Sequence, residues 1–216
     1  MARDSAPTAR AAATREQILV AAERLFAEHG VSAVSNRQVS EAAGQGNNFA
    51  VGYHFGTKTD LVRAIVRRHQ GPIDGTRTRM VDAIEGDGDV RDWVACLVRP
   101  VTEHLDALGR PTWYGRFGAQ VMTDPLLRVI MIDDALTQPL MQRVLAGLGR
   151  CLPDLPDEVA RERADMTRLL MVHVVGERER ALADGTRTRR SSWEEAATGL
   201  IDAIVGLWLA PVGGDR

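Results

Sequence analysis

The sequence predicts an all-α fold: an N-terminal three-helix helix-turn-helix unit followed by a larger helical body, about nine to ten helices in total. Three observations predict it. Apolar residues recur at three- and four-residue spacing along almost the whole chain, the period of a helix with one buried face. No stretch alternates apolar and polar residues between tight turns, as a half-buried strand would. Glycines and Ser/Thr capping patterns punctuate the periodic runs at helix-length intervals.

Taken in order, residues 1–13 read as a flexible arm, and Thr14-x-x-Gln17 reads as a capping box opening the first helix. Ile18, Ala22, Leu25 and Phe26 give that helix one apolar face, and Gly30 ends it. A second box, Ser35-x-x-Gln38, starts a short helix through Val39 and Ala42 that stops at Gly44. Gln45-Gly46-Asn47-Asn48 is a turn by composition, and a third short helix fits from Asn47 to Tyr53. Thr57-x-x-Asp60 caps a fourth, which carries Leu61, Val62, Ile65 and Val66 to about Gln70. Gly71-Pro72 then reads as a boundary between a first domain, residues 14–70, and a second, residues 71–216. In the second domain the spacing predicts helices over 74–85, 90–108, 112–122, 124–132, 135–148, 157–184 and 192–209. Pro100 falls inside the second of these and is a candidate bend.

The formal net charge is only -2, but it is unevenly distributed. Residues 1–70 hold nine cationic and six acidic side chains, the remainder eighteen and twenty-three. A cationic head on an acidic body suits phosphate contact at one end. The N-terminus has no apolar core of a secretory signal, and no run reaches the roughly 20 apolar residues of a membrane span. Cys96 and Cys151 stand far apart and read as free thiols of a reducing cytoplasm. The chain has no G-x-S-x-G, no H-E-x-x-H, no phosphate-cradling loop with its lysine and no calcium-site spacing. Neither a catalytic residue nor a metal ligand nor a cofactor is therefore expected.

Three short helices separated by glycine breaks carry the functional reading. Small residues, Ala42 and Ala43, end the second helix so that the third can cross it closely. Polar residues then stand at the start of the third helix, where such a unit meets base edges in the major groove. Asn47 and Asn48 occupy that place, and asparagine can pair bidentately with adenine; asparagine also favours turns for purely local reasons. Arg37, Lys58 and the first N–H groups of the fourth helix are the candidate phosphate ligands.

The run from Gly30 to Gly44, GVSAVSNRQVSEAAG, followed by Tyr53-His54-Phe55-Gly56-Thr57-Lys58-Thr59-Asp60-Leu61, resembles the DNA-binding signature of the TetR family of regulators. The resemblance covers about residues 14–66. It implies a ligand-released repressor that binds a palindromic operator as a homodimer, with Arg37, Lys58 and third-helix residues on DNA. The stretch from Gly44 to Phe55 is one residue longer than the commonest family pattern, and Gly52 stands where a tyrosine is usual. The candidate DNA-binding set is Arg37, Gln45, Asn47, Asn48, Phe49, Tyr53, His54 and Lys58.

In the body, Trp93, His104, Trp113, Tyr114, Phe117, Met122, Met131 and His173 form an aromatic and methionine set of the kind that lines effector pockets, or simply fills a core. Leu169, Leu170 and Val174 on one late helix, and Leu200, Ile204 and Trp208 on the last, give apolar faces for a four-helix dimer interface. The expected partners are thus double-stranded operator DNA, a small-molecule effector and a second copy of the chain. A helical small-molecule-binding or catalytic protein whose N-terminal motif has lost operator binding is the alternative.

Overall fold

The computed structural model describes residues 5–47 and 49–213. Its described residues form ten helices and no strand: α1 (Ser5–His29), α2 (Asn36–Ala42), α3 (Ala50–Phe55), α4 (Lys58–Asp82), α5 (Val90–Leu108), α6 (Tyr114–Thr123), α7 (Pro125–Leu136), α8 (Pro139–Cys151), α9 (Asp157–Ala183) and α10 (Trp193–Leu209).

Two differences from the expected boundaries shape the architecture. The first helix begins at Ser5, so Thr14 and Gln17 lie within it rather than at its cap. Ala9, Arg10 and the alanines at 11–13 are strong helix formers with no breaker among them. A helix seeded by the buried face from Ile18 therefore propagates backwards through them. The second difference is at Gly71-Pro72, where α4 runs through without interruption. Ile65, His69, Ile73, Arg77 and Val81 are buried at four-residue intervals on one face of α4, while Pro72 lies on the exposed face. Burying that continuous row outweighs the roughly 3 kcal/mol cost of an internal proline. The result is a single rod, about 37 Å long at 1.5 Å per residue, that joins the N-terminal head to the body.

The head core is built from Ile18, Phe26, Val34, Val39, Val51, Leu61 and Ile65, and is completed by Phe117 and Val121 of α6 and Leu127 of α7. Phe26 and Phe117 stack with centroids 6.4 Å apart. The head therefore does not close its core alone; α6 is its lid. Glycines let α6 approach α9 closely: a Cβ on Gly115 would stand 3.0 Å from Val175, and one on Gly176 would stand 3.2 Å from Ala119.

The second core lies among α5, α8 and α10, with Val94, Val98, Leu105, Val144, Leu148 and Ile201 at its centre. Leu200, Ile204 and Trp208 belong to it, at 5%, 0% and 6% exposure. That corrects their assignment to a dimer interface: the apolar face of α10 is spent on α5 within the protomer. Helix α5 continues through Pro100, which cannot donate to the carbonyl of Cys96 four residues back. The buried Arg77 of α4 supplies the missing donor, its Nε reaching Cys96 O at 3.2 Å.

Candidate nucleic-acid interface

Helix α2 begins at a reciprocal cap: Gln38 N donates to Ser35 Oγ at 3.2 Å and Ser35 N donates to Gln38 Oε1 at 2.8 Å. It ends before Gly44, whose φ of 68° lets the chain reverse without the steric cost a side chain would meet. Asn47 then acts locally. Its Oδ1 accepts from Phe49 N at 2.9 Å, its carbonyl accepts from Ala50 N at 3.0 Å, and α3 starts at Ala50 rather than at Asn47. Such Asx turns compete with helix for the same backbone donors, which is why the helix begins three residues late.

Ala50, Val51 and Phe55 seat α3 on the head core. Opposite them, Phe49 and Tyr53 stand four residues apart, 80% and 85% exposed. Together with exposed Asn47 they form the outward face of the unit. Asn48 lies outside the described residues. His54 is half-buried, edge-on to Tyr53 at 5.1 Å, so its ring packs instead of facing outward. Gln45 donates its amide to Gln17 Oε1 and to Ala43 O, both at 3.0 Å, and thereby pins the turn to α1. Arg37 is exposed and pairs with Glu41 at 2.7 Å. Exposed pairs of this kind are worth under about 1 kcal/mol and exchange readily for another anion.

Lys58 departs from the expectation of a free phosphate ligand. Its Nζ donates to Val31 O at 3.1 Å and to Val34 O at 2.6 Å, tying the loop after α1 to the start of α4. Two of the three ammonium donors are taken; one remains. At the same helix start, Asp60 accepts from Thr57 N and Oγ1, and those hydrogen bonds hold its carboxyl below the usual range. An anion therefore already sits at the N-terminus of α4, beside the N–H groups expected to bind phosphate. Sequence reasoning missed Arg15, which donates to His54 O at 2.7 Å and lies 4.1 Å over the Phe55 ring, clamping α3 onto α1. Residues 15 and 54 share no local spacing that would have revealed it.

The expected effector residues divide among separate places. Tyr114 stands 6.2 Å from both His104 and Phe117, and Trp113 and Met131 pack on the head core beside them. Met122 is half-buried on α6. Trp93 lies in the second core, its Nε1 donating to Asp87 O at 2.9 Å, and His173 is exposed on α9. Two cavities, of about 230 and 250 Å³, flank Trp193. Arg110, Thr112, Glu179 and Leu182 help line the first, and Arg99, Thr102 and Asp106 the second. None of the eight expected residues lines either one. On α9, Met166, Leu169 and Val174 are 40%, 45% and 41% exposed, with half-buried Leu170 on the same face. Among the described residues no helix is long and apolar enough to cross a membrane.

Comparison with known proteins supplies the family. Residues 18–65 match the model of bacterial regulatory proteins, tetR family, and residues 95–206, more than half of the chain, match the tetracyclin repressor-like C-terminal domain. Curated relatives include the HTH-type transcriptional repressor AcnR of Corynebacterium glutamicum, 29% identical over 153 residues, covering 68% of this chain and 73% of that one. AcnR of Corynebacterium efficiens is 29% identical over 155 residues with the same coverage. A solved structure of a TetR-family transcriptional regulator from Mesorhizobium loti superposes with a TM-score of 0.47 at 18% identity, covering 93% of this chain and 99% of that one. By the two family matches, residues 18–65 and 95–206, the chain belongs to the tetR family of bacterial transcriptional regulators.

Proposed function

We propose that this regulator is a repressor that binds a near-palindromic operator as a homodimer and lets it go when a small molecule occupies the body. The observation that carries the reading is the outward aromatic pair Phe49 and Tyr53 beside Asn47, on a helix whose other face is seated in the head core. Among the described residues Tyr53 meets its chain neighbour His54 edge-on, and both Phe49 and Tyr53 nonetheless remain exposed. The Phe49 ring suits a thymine methyl, the Tyr53 hydroxyl a phosphate, and the free amide group of Asn47 a base edge. Asn48 joins them as a base contact; Arg37 and the third donor of Lys58 serve phosphates, while Gln45 and His54 hold the turn. The AcnR relatives are named as repressors, which supports repression over activation.

The exposed row Met166, Leu169 and Val174 on α9 supports self-association about a two-fold axis. Paired heads then span half-sites about 34–36 Å apart, one DNA turn. An effector must prefer the non-binding spacing, since equal affinity for both states shifts nothing. By linkage the operator weakens effector binding by the same factor. The place of action is then the cytoplasm, with the chromosome.

Selection of bound duplexes from a random DNA pool by the purified full-length protein tests the reading. The expected result is a palindrome with half-sites one turn apart. No enrichment at low salt from a folded dimer would overturn it and favour a small-molecule-binding protein without operator activity.

A further inference from the structure

Four helices meet at a buried cluster of ionisable side chains where head and body join. Glu23 of α1 and His69 of α4 are 3% and 2% exposed. His69 Nε2 lies 2.8 Å from Glu23 Oε2, and His69 Nδ1 lies 2.7 Å from Nε2 of His104 on α5. Tyr114 of α6 stacks on the His69 ring at 3.9 Å. Arg68 of α4 reaches Glu23 at 3.1 Å and Glu16 of α1 at 2.6 Å. Asp74 and Arg77, further along α4, act electrostatically on the Tyr114 hydroxyl, and Arg68 Nη1 lies 3.5 Å from His69 Nε2.

The distances fix how many protons this cluster holds. Glu23 accepts from Arg68 as a carboxylate, so the short contact from His69 Nε2 requires a hydrogen on that nitrogen. The 2.7 Å contact between the two imidazoles holds one hydrogen. With none, two lone pairs would face each other; with two, two N–H groups would collide. Only His104 Nδ1 remains to gain or lose a proton. The closed pair therefore carries at most one positive charge, which Glu23 balances. A second charge requires hydrogens on both facing nitrogens and forces the rings apart.

We propose that Glu23, His69 and His104 form an acid-labile latch between the head and the body, closed while the two imidazoles share one proton and opened when both become cations. The direction follows from the environment. Burial, and then electrostatic repulsion by the neighbouring His69, hold the His104 imidazole below its ordinary value, with Arg68 adding to the effect and Glu23 opposing it, so the open state binds more protons than the closed one. The latch is thus fully closed above the ordinary histidine range and is lost as pH falls through the lowered value. Each pH unit beyond that point favours the open state by up to about tenfold per proton taken up. Opening would detach α1 and α4 from α5 and α6 at the helix pair that carries the recognition unit. Its consequence for DNA rests on the operator-binding reading, but the latch itself does not.

Amide hydrogen exchange on the full-length protein between pH 7.5 and 5, corrected for the intrinsic rate, tests it. In the wild type, amides around Glu23 and His69 are expected to lose protection by up to about tenfold per pH unit below the transition, while those of α10 keep theirs. In His104→Gln, whose amide can donate to or accept from His69 at either charge, this acid step disappears. An unchanged wild type, or the same step in His104→Gln, overturns the latch. Should that variant fail to fold, nitrogen NMR of the wild-type imidazoles decides. One ring of the pair taking its proton only below the ordinary range, together with the exchange step, supports the proposal; two independent titrations in the ordinary range refute it. Absence of any operator would leave the exchange step intact, so the two readings fail separately.

Discussion

Replacing Arg77 with methionine removes the donor that meets the carbonyl of Cys96, and the structure sets the size of the effect. That carbonyl lies four residues before Pro100 inside α5, so its own helix cannot satisfy it. Cys96 is 1% exposed and Arg77 4%, so water is not an easy substitute. A buried acceptor left without a partner costs about 1–3 kcal/mol. Relief of burial works the other way, since the same burial that lowers the Arg77 pKa also disfavours the charge. Its acidic partner Asp74 is 31% exposed at the side chain and can hydrate. The net loss expected for Arg77→Met is about 1–2 kcal/mol. In a Pro100→Ala background, the new N–H of residue 100 can donate to Cys96, so the same substitution should cost about 1 kcal/mol less. Urea unfolding of the four proteins, all at one protein concentration because self-association shifts the midpoint, measures this coupling. Equal costs for Arg77→Met in both backgrounds, within about 0.5 kcal/mol, would refute the link between the proline and the arginine.

Other consequences are as direct. Lys58→Met should destabilise the protein by about 1–2 kcal/mol by freeing the Val31 and Val34 carbonyls, and should lower the salt slope of DNA binding by about one if the third donor meets a phosphate. Leu169→Asp with Val174→Asp should yield a folded monomer by sedimentation, because both side chains are already partly exposed in the protomer; a persistent dimer would place the interface elsewhere. Burial pushes the Cys96 thiol up to about 11, so at pH 8 it is neutral and inaccessible, and iodoacetamide should label Cys151 in the native protein and Cys96 only after unfolding.

The local rules were legible in the sequence, the Thr14-x-x-Gln17 box inside α1 excepted, and the tertiary ones were not. Ser35/Gln38 and Thr57/Asp60 form the boxes their spacing announces, and Gly30 and Gly44 end helices with positive φ. Pro72 misled because its local cost is visible, whereas the buried row from Ile65 to Val81 that offsets it depends on what α4 packs against. Periodicity showed that Leu200, Ile204 and Trp208 share a face but could not say whether α5 or a second subunit covers it. No sequence signal reveals that two carbonyls 24 and 27 residues before Lys58 converge on its ammonium and leave one donor for a phosphate. Glu23, His69 and His104 come from three helices with no motif between them, so only the packing of α1 and α5 against α4 brings them together.

Operator recognition is assigned to the outward side of α3 and its N-cap Phe49, and one titration tests that most directly. On the duplex recovered from the random pool, the wild type is compared with Phe49→Ala plus Tyr53→Ala at matched salt, with circular dichroism and thermal unfolding as controls. Both side chains are exposed, so the double variant should unfold with the wild type. Loss of the Phe49 base contact, worth about 1–3 kcal/mol, should weaken specific binding by about tenfold relative to unrelated DNA, while loss of the Tyr53 phosphate contact weakens both alike. A stable variant that still prefers the selected duplex as strongly as the wild type would contradict the reading and move recognition away from this helix.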